Sequence, residues 1–178
     1  MKARLPLGLA IAILVAVSST ALAQDRRDVK LADEVGRTVA GYPRLTIFDD
    51  INATVENGAI VLSGSVTMPS KRSDLEQRIG RIDGVRSLRN DITVLPVSQF
   101  DDQLRYRVAR AIYGNASFWN YAAMSNPPIH IIVENGHVTL AGVVSTNVDR
   151  MLARSLATGL GELSITNALK TDAEVQAP

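Results

Sequence analysis

The sequence predicts an α+β protein made of two tandem small αββαβ domains, each a three-stranded sheet covered by two helices. Three observations carry this. An eleven-residue phrase is written nearly twice, ENGAIVLSGSV from Glu56 to Val66 and ENGHVTLAGVV from Glu134 to Val144. Gly58 and Gly136 stand 78 positions apart, as do Gly64 and Gly142. Apolar residues recur every four positions before each phrase and every two within it, which are the periods of a helix and of a half-buried strand.

The elements follow in order. Leu31, Val35 and Val39 form an apolar helix stripe that ends at Gly41, a C-cap, with Pro43 beyond it. Ile51, Ala53 and Val55 alternate along a strand. Asn57-Gly58 then supplies two residue types that tolerate the positive φ of a type I′ hairpin turn. Ile60, Leu62 and Val66 alternate in the returning strand, where Gly64 permits another backbone to approach closely. Leu75, Ile79 and Ile82 mark a second helix ending at Gly84, and Leu88, Ile92 and Val94 a last strand. The second copy repeats the series. Its first helix carries Leu104, Val108 and Ile112 and ends at Gly114; Ile129, Ile131 and Val133 lead to Asn135-Gly136; Val138, Leu140 and Val144 return. Val148, Leu152 and Leu156 mark its second helix, ending near Gly159 or Gly161, and Ile165 and Leu169 its closing strand. Asn90 and Asn167 sit at matching places in the last strands. The two helices cover one sheet face, giving a two-layer unit. Strand order does not follow from the pattern.

The N-terminus reads as an export signal. Lys2 and Arg4 make a basic start, Leu5 to Val17 an apolar run shorter than the ~20 residues of a spanning helix, and Ala21-Leu22-Ala23 a small-x-small cleavage pattern. The alternative is an uncleaved anchor. The expected organisation is therefore a signal peptide over 1–23, an extension over 24–27, domains over 28–95 and 100–172 joined by a linker at 96–99, and a disordered tail over 173–178. The chain has 19 Lys and Arg against 18 Asp and Glu; loss of Lys2 and Arg4 leaves 17 against 18. A net charge near −1 disfavours nucleic-acid binding, which needs a strong positive field. There is no cysteine, which excludes disulfides, thiol catalysis and cysteine-ligated metals.

A helix, a hairpin carrying N-G-x-[VI]-x-L-x-G, a second helix ending in a G-V-like turn and a V-x-N-x-[IL] strand together resemble the BON domain. The residues that carry the resemblance are Asn57, Gly58, Ile60, Leu62, Gly64, Gly84, Val85 and Asn90 in the first copy. In the second they are Asn135, Gly136, Val138, Leu140, Gly142, Gly161 and Asn167, with Gly161-Glu162-Leu163 where Gly-Val is usual. The resemblance implies non-catalytic modules that associate with phospholipid or other envelope components. Dual-BON proteins of this kind are periplasmic or outer-membrane lipoproteins, with roles in envelope integrity and osmotic stress. The lipoprotein branch requires an acylated cysteine, so the resemblance implies the periplasmic form, without a cofactor or an evident small-molecule substrate.

A binding surface is expected in the second copy. Projected at about 100° per residue, the face opposite Leu104, Val108 and Ile112 carries Tyr106, Arg110 and Tyr113, flanked by Arg105 and Arg107; the first copy has only Asp33 and Arg37 there. Arginines suit anionic headgroups and tyrosines a wet–apolar boundary, so the expected partner is an anionic phospholipid surface. Ordinary alternatives stand beside this: arginines late in a helix suit its dipole, and the tyrosines can pack on the neighbouring domain. The loop from Gly114 to Ile129 is five residues longer than its counterpart and holds Phe118, Trp119, Tyr121 and Met124. These aromatics either insert at a membrane or clamp an envelope protein, or fold back as a satellite core; for Trp119 the folded-back position is the expected one. A protein-binding or self-associating module without lipid binding is the alternative function.

Catalytic constellations are wanting. His130 and His137, the two histidines, have no partner at ligand spacing, and no G-x-S-x-G elbow occurs. Gly58 and Gly136 open strands rather than helices, so they form no phosphate loop. Asp101-Asp102 is expected to be a helix N-cap with its first-turn neighbour, and Asp49-Asp50 a turn before a strand.

Overall fold

The computed structural model describes residues 16–176. The basic start and most of the apolar run of the expected signal lie outside the described residues. Helix α1 spans Ala16–Ala40, so it begins well before the stripe that announces it and includes Ala21-Leu22-Ala23. No helix among the described residues is long and apolar enough to cross a membrane.

The first unit continues with β1 (Asp50–Glu56), β2 (Ala59–Val66), α2 (Pro69–Ile79), β3 (Ser87–Asn90) and β4 (Thr93–Val94). The second contains α3 (Gln99–Tyr113), α4 (Trp119–Ala122), β5 (Ile129–Glu134), β6 (His137–Val144), α5 (Asn147–Ala157), β7 (Ser164–Asn167) and β8 (Lys170–Thr171). In each, the central strand pairs antiparallel with the first and parallel with the last: β2 with β1 and β3, β6 with β5 and β7. The closing strand comes in two segments, since β4 and β8 also pair with β2 and β6. Asn90 makes the break. Its Oδ1 accepts from Ile92 N at 3.2 Å, while its Nδ2 donates to Arg72 O of α2 at 3.2 Å. Asn167 repeats both bonds with Leu169 N and Arg150 O.

The hairpins are held by carboxylates from the helices. Asn57 and Asn135 adopt φ of 52° and 51°, and their glycines 77° and 80°, the left-handed pair of a type I′ turn. Asp28 of α1 accepts from Asn57 N at 2.6 Å and Gly58 N at 3.0 Å; Asp101 of α3 accepts from Asn135 N at 2.9 Å and Gly136 N at 2.8 Å. Asp101 is therefore not the cap of its helix. Ser98 is, accepting from Asp101 N at 3.2 Å; Asp101 stands three residues on, with its carboxylate turned to the hairpin. Gly64 and Gly142 meet the expected close approach, for a Cβ on them would lie 2.1 Å from Asp50 O and 1.9 Å from Pro128 O.

Two cores result. Leu31, Val35, Ile60, Leu62, Leu75 and Ile79 centre the first, and Leu104, Val108, Ile112, Ile131, Leu140 and Ala153 the second. Three expectations shift. Helix α2 stops at Ile79 with Gly80 as C-cap, and Ile82 packs from the loop beyond it. Val148 is 72 % exposed. The Thr146 cap accepts from Asp149 N and starts α5 so that Leu152, Ala153, Leu156 and Ala157 face inward instead. The tail is ordered through Gln176: α6 (Asp172–Gln176) is pinned where Glu174 accepts from Thr171 N at 2.8 Å and pairs with Arg150 at 2.8 Å.

Asp49 is not simply a turn residue. It is buried, accepts from the amides and hydroxyls of Thr46 and Thr67, and pairs with the buried Lys71 Nζ at 2.6 Å. Burial alone would raise its carboxyl, but the bonds from Lys71, Thr67 and Thr46 outweigh it and hold the group below the ordinary carboxylate range. Gly64→Ala and Gly142→Ala should each cost more than about 3 kcal/mol in urea unfolding, since positive φ and backbone overlap add. Because the folded Asp49 value lies below the unfolded one, its contribution is present above about pH 3.9 and is lost as pH falls through the folded value. Asp49→Asn should be less stable at neutral pH and show a shallower loss of stability between pH 5 and pH 2, read from unfolding curves across that range.

Candidate functional site

Helix α3 divides its residues between two tasks. Leu104, Val108 and Ile112 are buried. Arg105 is buried too, against expectation: its guanidinium pairs with Asp102 and donates to Val133 O of β5 at 2.6 Å. It follows Leu104 on the flank of the apolar stripe, and its length carries the charge over the sheet edge. Tyr113 is likewise drawn in. Its hydroxyl donates to Ile129 O at 2.6 Å and accepts from Ile129 N at 3.0 Å, and burial pushes the phenol far above its ordinary value. Neither residue is presented to a ligand.

Tyr106, Arg107 and Arg110 remain outside. Tyr106 is 65 % exposed and stands edge-on to Phe48, ring centroids 5.2 Å apart. Arg107 lies over the ring of Phe100 at 5.9 Å. Among the described residues neither Arg107 nor Arg110 forms an ion pair, so two free guanidinium groups lie one helical turn apart beside an aromatic ring.

The long loop splits in the same way. A 3-10 turn over Ala116–Phe118, capped by Asn115 accepting from Ser117 N, leads into α4. Phe118 is buried in the second core. Tyr121 is buried beside it, its hydroxyl donating to Asp149 Oδ2 at 3.1 Å and accepting from Ser145 N at 2.8 Å. These two do form a satellite core. Trp119 does not, for it is 75 % exposed. A one-turn helix can bury residues on one side only, and Phe118 and Tyr121 take that side. Met124 is exposed further along the loop.

The Tyr121 site answers to the Asp49 site of the first unit. Ser145 and Asp149 stand 78 positions after Thr67 and Lys71, and the tyrosine hydroxyl accepts the amide bond that the Asp49 carboxylate accepts there. A phenol–carboxylate hydrogen bond stands where the first unit has a buried ion pair. His130 lies opposite Ala141 and His137 opposite Glu134, so the histidines are not brought together. No group of three or more His, Cys, Asp or Glu that could hold a metal occurs among the described residues.

Sequence reasoning missed the segment that joins the units. Ile47 and Phe48 pack on the second core, and Ile47 O accepts from Ile131 N at 2.7 Å. Arg105→Ala should lower stability by about 2–4 kcal/mol, because Val133 O loses a buried charged partner. Arg107→Ala and Arg110→Ala should change it by less than about 0.5 kcal/mol. Urea unfolding of the three variants separates the roles. Trp119 is the single tryptophan, and acrylamide should quench its fluorescence in the folded protein nearly as well as in the unfolded one.

The BON domain profile matches residues 27–96 and again 101–173. No curated protein matches the chain. Among solved structures, CdsD, a structural protein of the type III secretion system of Chlamydia trachomatis, is similar at 13 % identity over 84 % of this chain and 99 % of that one, with a TM-score of 0.29. A second structure, described as the C-terminal domain of CdsD, is similar at 14 % identity over 68 % of this chain and 56 % of that one, with a TM-score of 0.28. The doubled profile, set on two αββαβ units with the same glycine-dependent hairpin, places this chain in the BON domain family.

Proposed function

We propose that the protein is a non-catalytic cell-envelope module whose second BON domain associates with anionic phospholipid, in support of envelope integrity or osmotic-stress tolerance in the periplasm. The BON family is non-catalytic and associated with membranes or the envelope. The single observation that supports the lipid reading is the pair of unpaired guanidinium groups on α3, Arg107 and Arg110, next to Tyr106 and followed in the chain by the exposed Trp119. Each basic side chain near an anionic surface contributes about 1 kcal/mol, and an indole settles at the headgroup boundary, where one edge is wet. Arg105, Tyr113, Phe118 and Tyr121 hold that surface in shape from beneath.

The test is co-sedimentation of the chain from Gln24 onward with vesicles containing phosphatidylglycerol. Binding should weaken as salt rises from 50 to about 500 mM, since screening shortens the reach of the charges, and Trp119 emission should shift to the blue on binding. The double variant Arg107→Glu, Arg110→Glu should lose binding with its circular dichroism unchanged. Vesicle binding that persists in that variant, or that ignores salt, rules out the α3 surface.

A further inference from the structure

The free edges of the two sheets are finished differently. In a two-residue hairpin the pair flanking the turn is hydrogen-bonded and the pairs alternate outward from it. Ile51, Ala53 and Val55, opposite Gly64, Leu62 and Ile60, therefore point their N–H and C=O groups off the edge of the first sheet. Ile129, Ile131 and Val133 hold the same positions in the second. There each of the three is met. Tyr113 hydroxyl bonds both backbone groups of Ile129, Ile131 N donates to Ile47 O at 2.7 Å, and Val133 O accepts from Arg105 at 2.6 Å.

The first sheet lacks all three caps. The places of Arg105 and Tyr113, 73 positions earlier on α1, are held by Ala32 and Ala40, which have no polar side-chain atom. The place of Ile47, 78 positions later, is held by Ser125. Beyond the pairing with β2, the backbone of Ile51, Ala53 and Val55 makes no hydrogen bond among the described residues. This open edge faces a cleft of about 540 Å³ whose opposite wall is α1, with Val35, Gly36 and Val39. Asn126 closes one end, donating from Nδ2 to Ala40 O at 3.3 Å.

We propose that this cleft binds an extended peptide segment of a partner protein, with apolar side chains at alternate positions, which adds to β1 as a further strand. The second domain shows what such a groove holds. Its own groove between α3 and β5 is filled by Ile47 and Phe48, one backbone bond to the edge strand and apolar side chains against the core and Tyr106. The first groove has the same edge and no such filling. An acyl chain would cover the apolar wall but leave the edge amides and carbonyls unpaired, whereas a strand meets both. The open stretch from Ile51 to Val55 spans about 13 Å at roughly 3.3 Å per residue, which suits a segment of about five residues.

The test is titration of the ¹⁵N-labelled chain from Gln24 onward with an end-blocked peptide that copies its own groove-filling segment, Pro43 to Asp50. Shifts at Ile51, Ala53, Val55 and Gly36, with slowed exchange of the Ala53 amide, are the expected result. Two variants should each weaken binding at least tenfold while leaving the thermal unfolding transition intact. Ala53→Pro removes an N–H that points away from β2. Gly36→Leu fills the cleft from a helix position where an added Cβ meets nothing within 4 Å. No shifts at millimolar peptide, binding that survives both variants, or shifts confined to Ile131 and Tyr106 would overturn the proposal. So would a palmitate titration that moves the Ile51–Val55 amides when the peptide does not.

Discussion

The arrangement of each domain depends on one carboxylate clasping two turn amides. Asp28 and Asp101 reach from their helices to the N–H groups of Asn57-Gly58 and Asn135-Gly136, donors that a type I′ turn presents side by side. The carbonyl of the same turn glycine is taken from the other side by the residue entering the last strand, Arg86 N on Gly58 O and Leu163 N on Gly136 O, both at 2.8 Å. Helix, hairpin and closing strand thus meet at one dipeptide, and the angle at which the helix crosses the sheet is set there. The two clasps are supported differently. Asp101 is fully buried and lies in the first turn of α3, where the helix dipole favours an anion. Asp28 is only half-buried, so its charge leans more on solvent than that of Asp101 does.

On that shared frame the polar interior has diverged. The first domain stabilises the turn before its hairpin with a buried ion pair, Asp49 and Lys71; the second uses the Tyr121 hydroxyl between Ser145 and Asp149. A buried pair is favourable only while both members and their hydrogen bonds are present, whereas a phenol needs no counter-charge and adds apolar area. The longer loop of the second domain is what brings that tyrosine in. Its aromatic content is therefore mainly structural, and the exposed Trp119 is what remains after Phe118 and Tyr121 are packed.

Patterns of period two and four, and glycines at positive φ, were legible because each leaves a local mark: alternation at Ile129, Ile131 and Val133, or an Asn-Gly pair that few other residues could replace. The direction of long polar side chains left no such mark. Arg105 and Arg107 are neighbours of the same type, yet one closes a sheet edge and the other faces water. A helical projection locates a Cβ, not a guanidinium four bonds further out, and the same holds for the Tyr113 hydroxyl. One signal was present and unread. Asp28 and Asp101 each stand three residues before Leu31 and Leu104, on the apolar stripe itself, where a lone carboxylate must have a partner. The seating of Ile47 and Phe48 on the second domain rests on contacts across the units, which no local pattern encodes.

Capping the second edge has consequences for the surface. Arg105 and Tyr113 are committed to β5, so the lipid reading of α3 rests on two free arginines and an indole. Two charges near an anionic surface contribute about 2 kcal/mol, and burying roughly 100 Å² of tryptophan adds about 2.5 kcal/mol. The sum corresponds to a dissociation constant near the millimolar range, enough for transient contact and too little for lasting residence on a membrane. Lasting residence then needs a second attachment on the same chain, since linked weak sites gain from effective concentration without any new contact. The first domain has its own cation over an aromatic ring, Arg78 on Tyr42 at 4.8 Å, but also the uncapped strand edge that the second lacks, and the peptide proposal rests on that edge. The proposed lipid contact is made by side chains of the second domain, and the proposed peptide contact by the backbone of the first.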